Sequence, residues 1–179
     1  MTPHGDGVDS TESQQKEVAH LDSKPGSPRA QLLSTWRRLA PLPAGRWLFS
    51  RFVGRMAPYS GTIGARIVAL EPGYVRVELR DRRRIRNHLN SIHAVALANL
   101  GELATGLAVT SVLPDSVRGI PVKLTIEYYK KARGALAAEC RSEIPDVQEP
   151  LDLTVSTEIS DVAGDVVARL AACWRLSPQ

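Results

Sequence analysis

Hydrophobic positions along the chain follow three spacings in turn. Between Ala30 and Ala57 the spacing is helical: Leu32, Trp36 and Leu39 share one face, and Pro41 and Pro43 interrupt the run. In a second helical run Trp47, Leu48, Phe49, Phe52, Val53 and Met56 form an apolar side, with Arg46, Ser50, Arg51, Gly54 and Arg55 opposite. Pro58 stops it. A basic amphipathic helix of this kind suits a membrane surface. A short one attached to a globular domain is more readily expected to cover that domain's face or edge.

Further along, the period is two. Val75, Val77 and Leu79 alternate with Arg76, Glu78 and Arg80, and the turn Glu71-Pro-Gly-Tyr joins them to the run from Ile63 to Leu70, which predicts a hairpin. Four more alternating runs follow: Arg118 to Tyr129, Leu136 to Arg141, Leu151 to Ile159 and Val166 to Trp174. Alternation predicts one buried face per strand and an antiparallel sheet. The gaps at Ala132 to Gly134, Pro145 to Pro150 and Ser160 to Gly164 suit hairpin connections.

Between the first hairpin and the later strands lies the third spacing. The segment from Asn87 to Ala108 is apolar almost all round, which predicts a buried helix, and Ser91 is its expected N-cap. The run from Ile92 to Leu113 is long enough to span a bilayer. It contains His93, Asn99 and Glu102 and is flanked by amphipathic strands, so the interior of a soluble protein is the expected setting. The fold class is therefore α+β, one long helix held against one antiparallel sheet.

The 179 residues suit one domain plus a tail. Residues 1–29, rich in Ser, Gly, Asp, Gln and Pro, are expected to be disordered, 30–57 to pack as helices on the domain, and 58–177 to form the domain itself. No apolar stretch at the N-terminus resembles a secretory signal, and a cytoplasmic location is expected. Net charge is +4, a modest basicity that suits an anionic ligand; aromatic residues make up 5% and do not alternate with basic ones, so no nucleic-acid partner is expected. Cys140 and Cys173 have no metal spacing and are expected to be small buried thiols. His88 and His93 stand five apart, a poor spacing for a metal on a helix, so no metal site is expected.

The candidate chemistry centres on Glu102. A carboxylate within an apolar helix is poorly solvated, which raises its basicity unless it is paired. The N–H groups at the start of the same helix, beside His93, form a candidate site for an oxyanion.

The arrangement resembles the hotdog fold, a curved antiparallel sheet of five to six strands wrapped around a long central helix, here with added N-terminal helices. The central segment is similar to the thioesterase pattern of the phenylacetic-acid-degradation type: Asn, then His-Gly-Gly, an acid nine residues after the His, a small residue and Gly. The matching positions are Asn87, His93, Ala94, Val95, Glu102, Ala104 and Gly106. The segments Ala57-Pro-Tyr-Ser-Gly-Thr-Ile-Gly-Ala-Arg and Asn87-His-Leu-Asn-Ser-Ile-His-Ala resemble a bacterial branch of that superfamily. The chain departs from the pattern in having Ala94-Val95 for Gly-Gly and Glu for Asp. The first narrows the approach to the backbone, because only Gly lacks a Cβ. The second lengthens the reach of the acid.

The resemblance implies hydrolysis of an acyl thioester, acyl-CoA in the first place. Glu102 would act as general base or nucleophile, the Ala94 N–H as oxyanion donor, and Asn87 and His93 would orient the carbonyl or the water. Nine helical residues separate His93 from Glu102, about 13 Å of rise and about half a turn of rotation. One carbonyl cannot meet both within one chain, so an active homodimer is expected, with room for further pairing into a tetramer. Coenzyme A would enter as part of the substrate, with no resident cofactor. Its phosphates would find cations among Arg80, Arg82, Arg83, Arg84 and Arg86, or at Lys130, Lys131 and Arg133. A hydratase or dehydratase on the same fold and a non-catalytic acyl-CoA-binding module are the alternatives.

Overall fold

A computed structural model describes residues 26–179. The expectation of a disordered tail falls mostly on residues outside that range. The first helix, α1 (Pro28–Leu39), starts slightly before the apolar run: Ser27 Oγ accepts a hydrogen bond from the Ala30 N–H at 3.2 Å and Pro28 fits the first turn. After the Pro41/Pro43 break come α2 (Gly45–Met56) and the single turn α3 (Pro58–Gly61). The expected apolar side of α2 is only half used. Phe49 and Val53 are buried and Phe52 partly so, whereas Trp47, Leu48 and Met56 face solvent.

The remaining elements are β1 (Arg66–Glu71), β2 (Tyr74–Leu79), α4 (Ala94–Thr110), β3 (Val117–Tyr128), β4 (Leu136–Arg141), β5 (Leu151–Asp161) and β6 (Val166–Pro178). All six strands form one antiparallel sheet in the order β1-β2-β4-β5-β6-β3. This is the hotdog arrangement expected. The β1–β2, β4–β5 and β5–β6 hairpins are as the alternation predicts. The gap at Ala132 to Gly134 is not a hairpin. β3 pairs only with β6 at one edge, and β4 pairs with β2 and β5, so the chain must cross the sheet between them. That crossover packs over the start of α4, where the Ile92 N–H donates to the Ala132 carbonyl at 2.8 Å.

Helix α4 packs across β2, β4, β5 and β6, burying Leu97, Leu100, Leu103, Ala104, Leu107 and Ala108. Its closest approach to the sheet is at Gly101, where an added Cβ would stand 2.8 Å from the Leu170 Cβ of β6. The start of α4 corrects the expected cap. The N-cap is His93, not Ser91: Ile92 is held extended by an isolated bridge to Arg86, and His93 Nδ1 accepts from the Val95 N–H at 3.1 Å. Ser91 is buried and donates through Oγ to Asn87 Oδ1. At the far end, the buried Ser111 hydroxyl donates to the Ala108 carbonyl and accepts from the Gly73 N–H in the β1–β2 turn, locking the helix end to the first hairpin.

Strand β3 departs from the expected single buried face. Its register places Leu124, Ile126 and Tyr128 beside Ala172, Leu170 and Ala168, on the sheet face that elsewhere meets α4. The helix packs chiefly on the other strands, and Ile120, Val122, Leu124 and Tyr128 remain exposed.

Gly101→Ala tests the seating of α4. The methyl gains about 1 kcal/mol of helix propensity but overpacks against a Cβ that cannot swing away, typically ~1–3 kcal/mol or more. The expected result is a net loss of about 1–2 kcal/mol by urea denaturation. An unchanged or higher midpoint would show that helix and sheet are less tightly seated.

Candidate active site

The acid singled out by the sequence sits under α3. Gly54 of α2 and Gly61 of α3 cross so closely that a Cβ on Gly61 would lie 2.7 Å from the Gly54 carbonyl oxygen. This contact sets α3 down on α4. Ser60 Oγ then donates to Glu102 Oε2 at 3.5 Å, and Asn99 Nδ2 donates to the Tyr59 carbonyl at 3.2 Å. Glu102 is half-buried and has no cationic partner among the described residues. Burial pushes its carboxyl above the ordinary range, and the Ser60 hydroxyl only partly offsets this. Gly106, one turn on, leaves the space where a Cβ would meet Glu102 Oε1 at 3.8 Å and the Trp174 ring at 3.9 Å. Two buried polar atoms near this face, Asn99 Oδ1 and Trp174 Nε1, have no hydrogen-bond partner among the described residues. Thr105 turns its hydroxyl to the Glu102 backbone carbonyl.

The other candidates gather at the start of α4. Asn87, Ala94, Leu97, Tyr128, Lys130 and Lys131 line a cavity of about 290 Å³. Asn87 Oδ1 is fully engaged, accepting from Leu89 N, Ser91 N and Ser91 Oγ. Its turn-closing role is therefore real, and its Nδ2 stays available as a donor. The Ala94 N–H, first in the helix, has no acceptor among the described residues, whereas the Val95 N–H is taken by His93 Nδ1. With Nδ1 accepting, a neutral His93 carries its proton on Nε2, at an exposed position. The Tyr128 hydroxyl donates to the Ala94 carbonyl at 3.1 Å. Asn87 and Ala94 thus share one cavity, with His93 at the adjoining helix cap, while Glu102 of the same chain lies under α3, away from its lining.

The Arg82 and Arg84 guanidinium groups lie over Gly64, while Arg86 is tied to the turn that follows Arg133 by Asp81. Asp81 accepts from Arg86 Nε at 2.6 Å and from the Gly134 N–H at 3.0 Å, and the Arg86 hydrogen bond holds its carboxyl below the usual range. The candidate cations differ in how far they are already engaged. Lys130 is clasped by Asp161 and Asp165, and Arg133 donates to the Leu89 carbonyl. Arg84 and Lys131 are exposed and form no ion pair among the described residues. A wider hollow of about 900 Å³ lies on the solvent side of the sheet. It is floored by ion pairs such as Arg76–Glu139 and Arg169–Glu158, and of the candidate residues Arg80 alone lines it, on the far face of the sheet from Glu102. Cys140 is buried, its thiol pushed up to about 12 by desolvation, and so is inert; Cys173 is only half-buried. Among the described residues no cluster of His, Cys, Asp and Glu could hold a metal ion, and no helix is long and apolar enough to cross a membrane.

A family model described as Domain of unknown function (DUF4442) matches residues 45–176. The chain belongs to this family. The chain is similar to a protein solved by structural genomics, with 32% identity, a TM-score of 0.72, and coverage of 84% of this chain and 99% of that one. It is also similar to a Pseudomonas aeruginosa protein of unknown function described as a probable thioesterase, with 25% identity, a TM-score of 0.68, and coverage of 77% and 97%. A variant of the phenylacetic acid degradation protein PaaI from Thermus thermophilus shares the fold at 18% identity and a TM-score of 0.56, over 66% of this chain and 97% of that one. No curated protein matches the chain.

Of the residues that touch the candidate acid, Ser60 was not legible in the sequence. It stands 42 positions from Glu102, and only the Gly54–Gly61 crossing brings it there.

The buried acid predicts a pH effect on stability. With its folded-state pKa raised, Glu102 keeps its proton in the native protein after the unfolded chain has lost it, so its contribution to stability falls as pH rises from the ordinary glutamate range toward the raised value. Glu102→Gln removes that fall. Thermal melts should show the variant gaining on the parent protein between acid and neutral pH. A Tm difference that stays flat across that range would mean that Glu102 is ordinarily solvated.

Proposed function

We propose that the DUF4442 domain hydrolyses acyl thioesters, acyl-CoA foremost, as a homodimer with two composite sites. The observation that carries this reading is Glu102: a half-buried carboxylate on the central helix with raised basicity and no cation among the described residues to neutralise it. An acid kept only for structure would be expected to have a partner, since an unpaired buried charge costs stability. Support also comes from the likeness to the protein described as a probable thioesterase.

In this reading the thioester carbonyl enters the Asn87–Ala94 cavity of one chain. The free Ala94 N–H, backed by the helix dipole, receives the developing oxyanion, and Asn87 Nδ2 and His93 Nε2 orient the carbonyl or the water. Glu102 of the partner subunit removes a proton from water as its oxygen attacks the carbonyl carbon. Collapse breaks the C–S bond, and the thiolate takes up a proton. Direct attack by the carboxylate, forming an anhydride that water then opens, uses the same placement. The phosphates of coenzyme A would meet Arg84 and Lys131 first, since Arg86, Lys130 and Arg133 already have partners.

The dimer is supported by β3. A twelve-residue edge strand with exposed Ile120, Val122, Leu124 and Tyr128 is an open template for pairing, which native proteins normally cover. A second copy would cover it, and would bring a second α4 beside the first. One observation favours a second reading, a non-catalytic acyl-CoA-binding module. With Val95 N–H taken by His93, Ala94 offers the one backbone N–H of the helix start without an acceptor among the described residues.

The decisive assay offers purified protein a panel of acyl-CoAs with a free-thiol readout. Turnover is expected, and Glu102→Gln should lower kcat by at least ~100-fold, the usual worth of a general base. Mixed dimers of Glu102→Gln and His93→Ala chains should regain activity that neither homodimer has, because one of their two sites is intact. Tight binding without turnover, unaffected by Glu102→Gln, would favour the binding module, and hydration of crotonyl-CoA a hydratase. Active monomers, or mixed dimers no better than their parents, would rule out composite sites.

A further inference from the structure

From Gly26 to Leu70 the chain holds seven arginines, no lysine and not one acidic residue. The rest carries 16 basic residues against 19 acidic ones, so the net positive charge of the protein resides entirely in this segment. In three dimensions the segment is α1, α2 and α3 together with most of the edge strand β1, which carries Arg66 and against which α1 and α2 pack. Arg29 is buried, while Arg37, Arg38, Arg46, Arg51 and Arg55 are exposed.

The outward face of α2 is not simply polar. Trp47, Arg51 and Arg55 stand four residues apart along it, with Leu48 beside them, and the Arg51 guanidinium lies 5.6 Å from the Trp47 ring centre. Trp47 is 54% exposed, Leu48 44% and Met56 55%, and Leu42 just before the helix is 54% exposed. Large apolar side chains interleaved with arginines, and no acid among them, are the composition of a helix lying in the interface of an anionic bilayer. The arginines meet lipid phosphates while Trp47, Leu48 and Met56 enter the acyl boundary. A second copy of the chain fits poorly here, since it would bring the same uncompensated charge.

We propose that this face of α1 and α2 docks the protein peripherally on anionic phospholipid membranes. The docking face is on the β1 edge of the sheet and the exposed β3 edge is at the other end, so dimerisation through β3 would leave it free. It also continues into α3, whose Ser60 bonds Glu102, so the roof of the candidate acid is the next element along from the lipid-facing helix. Docking does not depend on the hydrolytic reading, because a protein without turnover would partition equally well.

The test is co-sedimentation of the full chain with vesicles of phosphatidylcholine alone or mixed with phosphatidylglycerol, with tryptophan emission recorded in parallel. Binding is expected only to the anionic vesicles, with a blue shift that Trp47→Phe abolishes and an affinity that falls with added salt. Arg51→Glu/Arg55→Glu should weaken partitioning by at least ~20-fold, from about 5-fold for each basic residue at such a surface. Far-ultraviolet circular dichroism checks that this variant is folded. If it is not, Arg51→Gln/Arg55→Gln takes its place, with a correspondingly weaker loss. No binding to anionic vesicles at low salt, equal binding to neutral ones, or full binding by the folded charge variants would overturn the proposal.

Discussion

The structure depends on how closely α4 can lie against the sheet. Gly101 leaves out the Cβ that would collide with Leu170, so the helix backbone comes down onto β6 and its leucines fill the space under β2, β4 and β5. Most other arrangements follow from that seating. The helix start lies under the crossover from β3 to β4, its end is pinned by Ser111 to the first hairpin, and one face remains for α3 to cover. Glu102 lies on that last face, and its burial is set by a glycine contact between α2 and α3 rather than by anything near it in sequence.

The fold was largely legible because two periodicities do not overlap. Five runs with period two, one more strand-length run that closes the first hairpin, and one long apolar segment of helical length leave few architectures that bury them all. Alternation could not reveal which strands are neighbours. The gap at Ala132 to Gly134 has the composition of a hairpin turn, yet β3 pairs with β6 across the sheet, an outcome set by packing around α4. Nor does alternation say how much of a face its own chain will cover: Leu124 and Tyr128 obey the pattern and are still exposed. The apolar side of α2 was overstated for the same reason, since Trp47, Leu48 and Met56 are hydrophobic and yet exposed.

At the candidate site, the residues were legible and their roles only partly so. Ala94 and Glu102 stand on α4 as the spacing predicts, whereas Asn87, expected within the same helical segment, lies in the turn before the helix. His93 was read as a group beside the helix start and is the cap itself, because its ring nitrogen reaches the second free N–H more readily than Ser91 can from an extended, bridged segment. The cations looked alike in the sequence. Their hydrogen bonds separate them, with Asp81, Asp161 and Asp165 already holding Arg86 and Lys130. Such pairing joins residues up to 35 positions apart and leaves no mark in local composition.

The place of β3 in the sheet has a consequence for biosynthesis. Among the described strands its one hydrogen-bonded neighbour is β6, the last of the six to leave the ribosome. While β4 and β5 are being made, a twelve-residue strand rich in Ile, Val, Leu and Tyr waits with both edges open. A chain cut short before Val166 would keep it in that state and would be prone to aggregate, however well its first hairpin and central helix had formed.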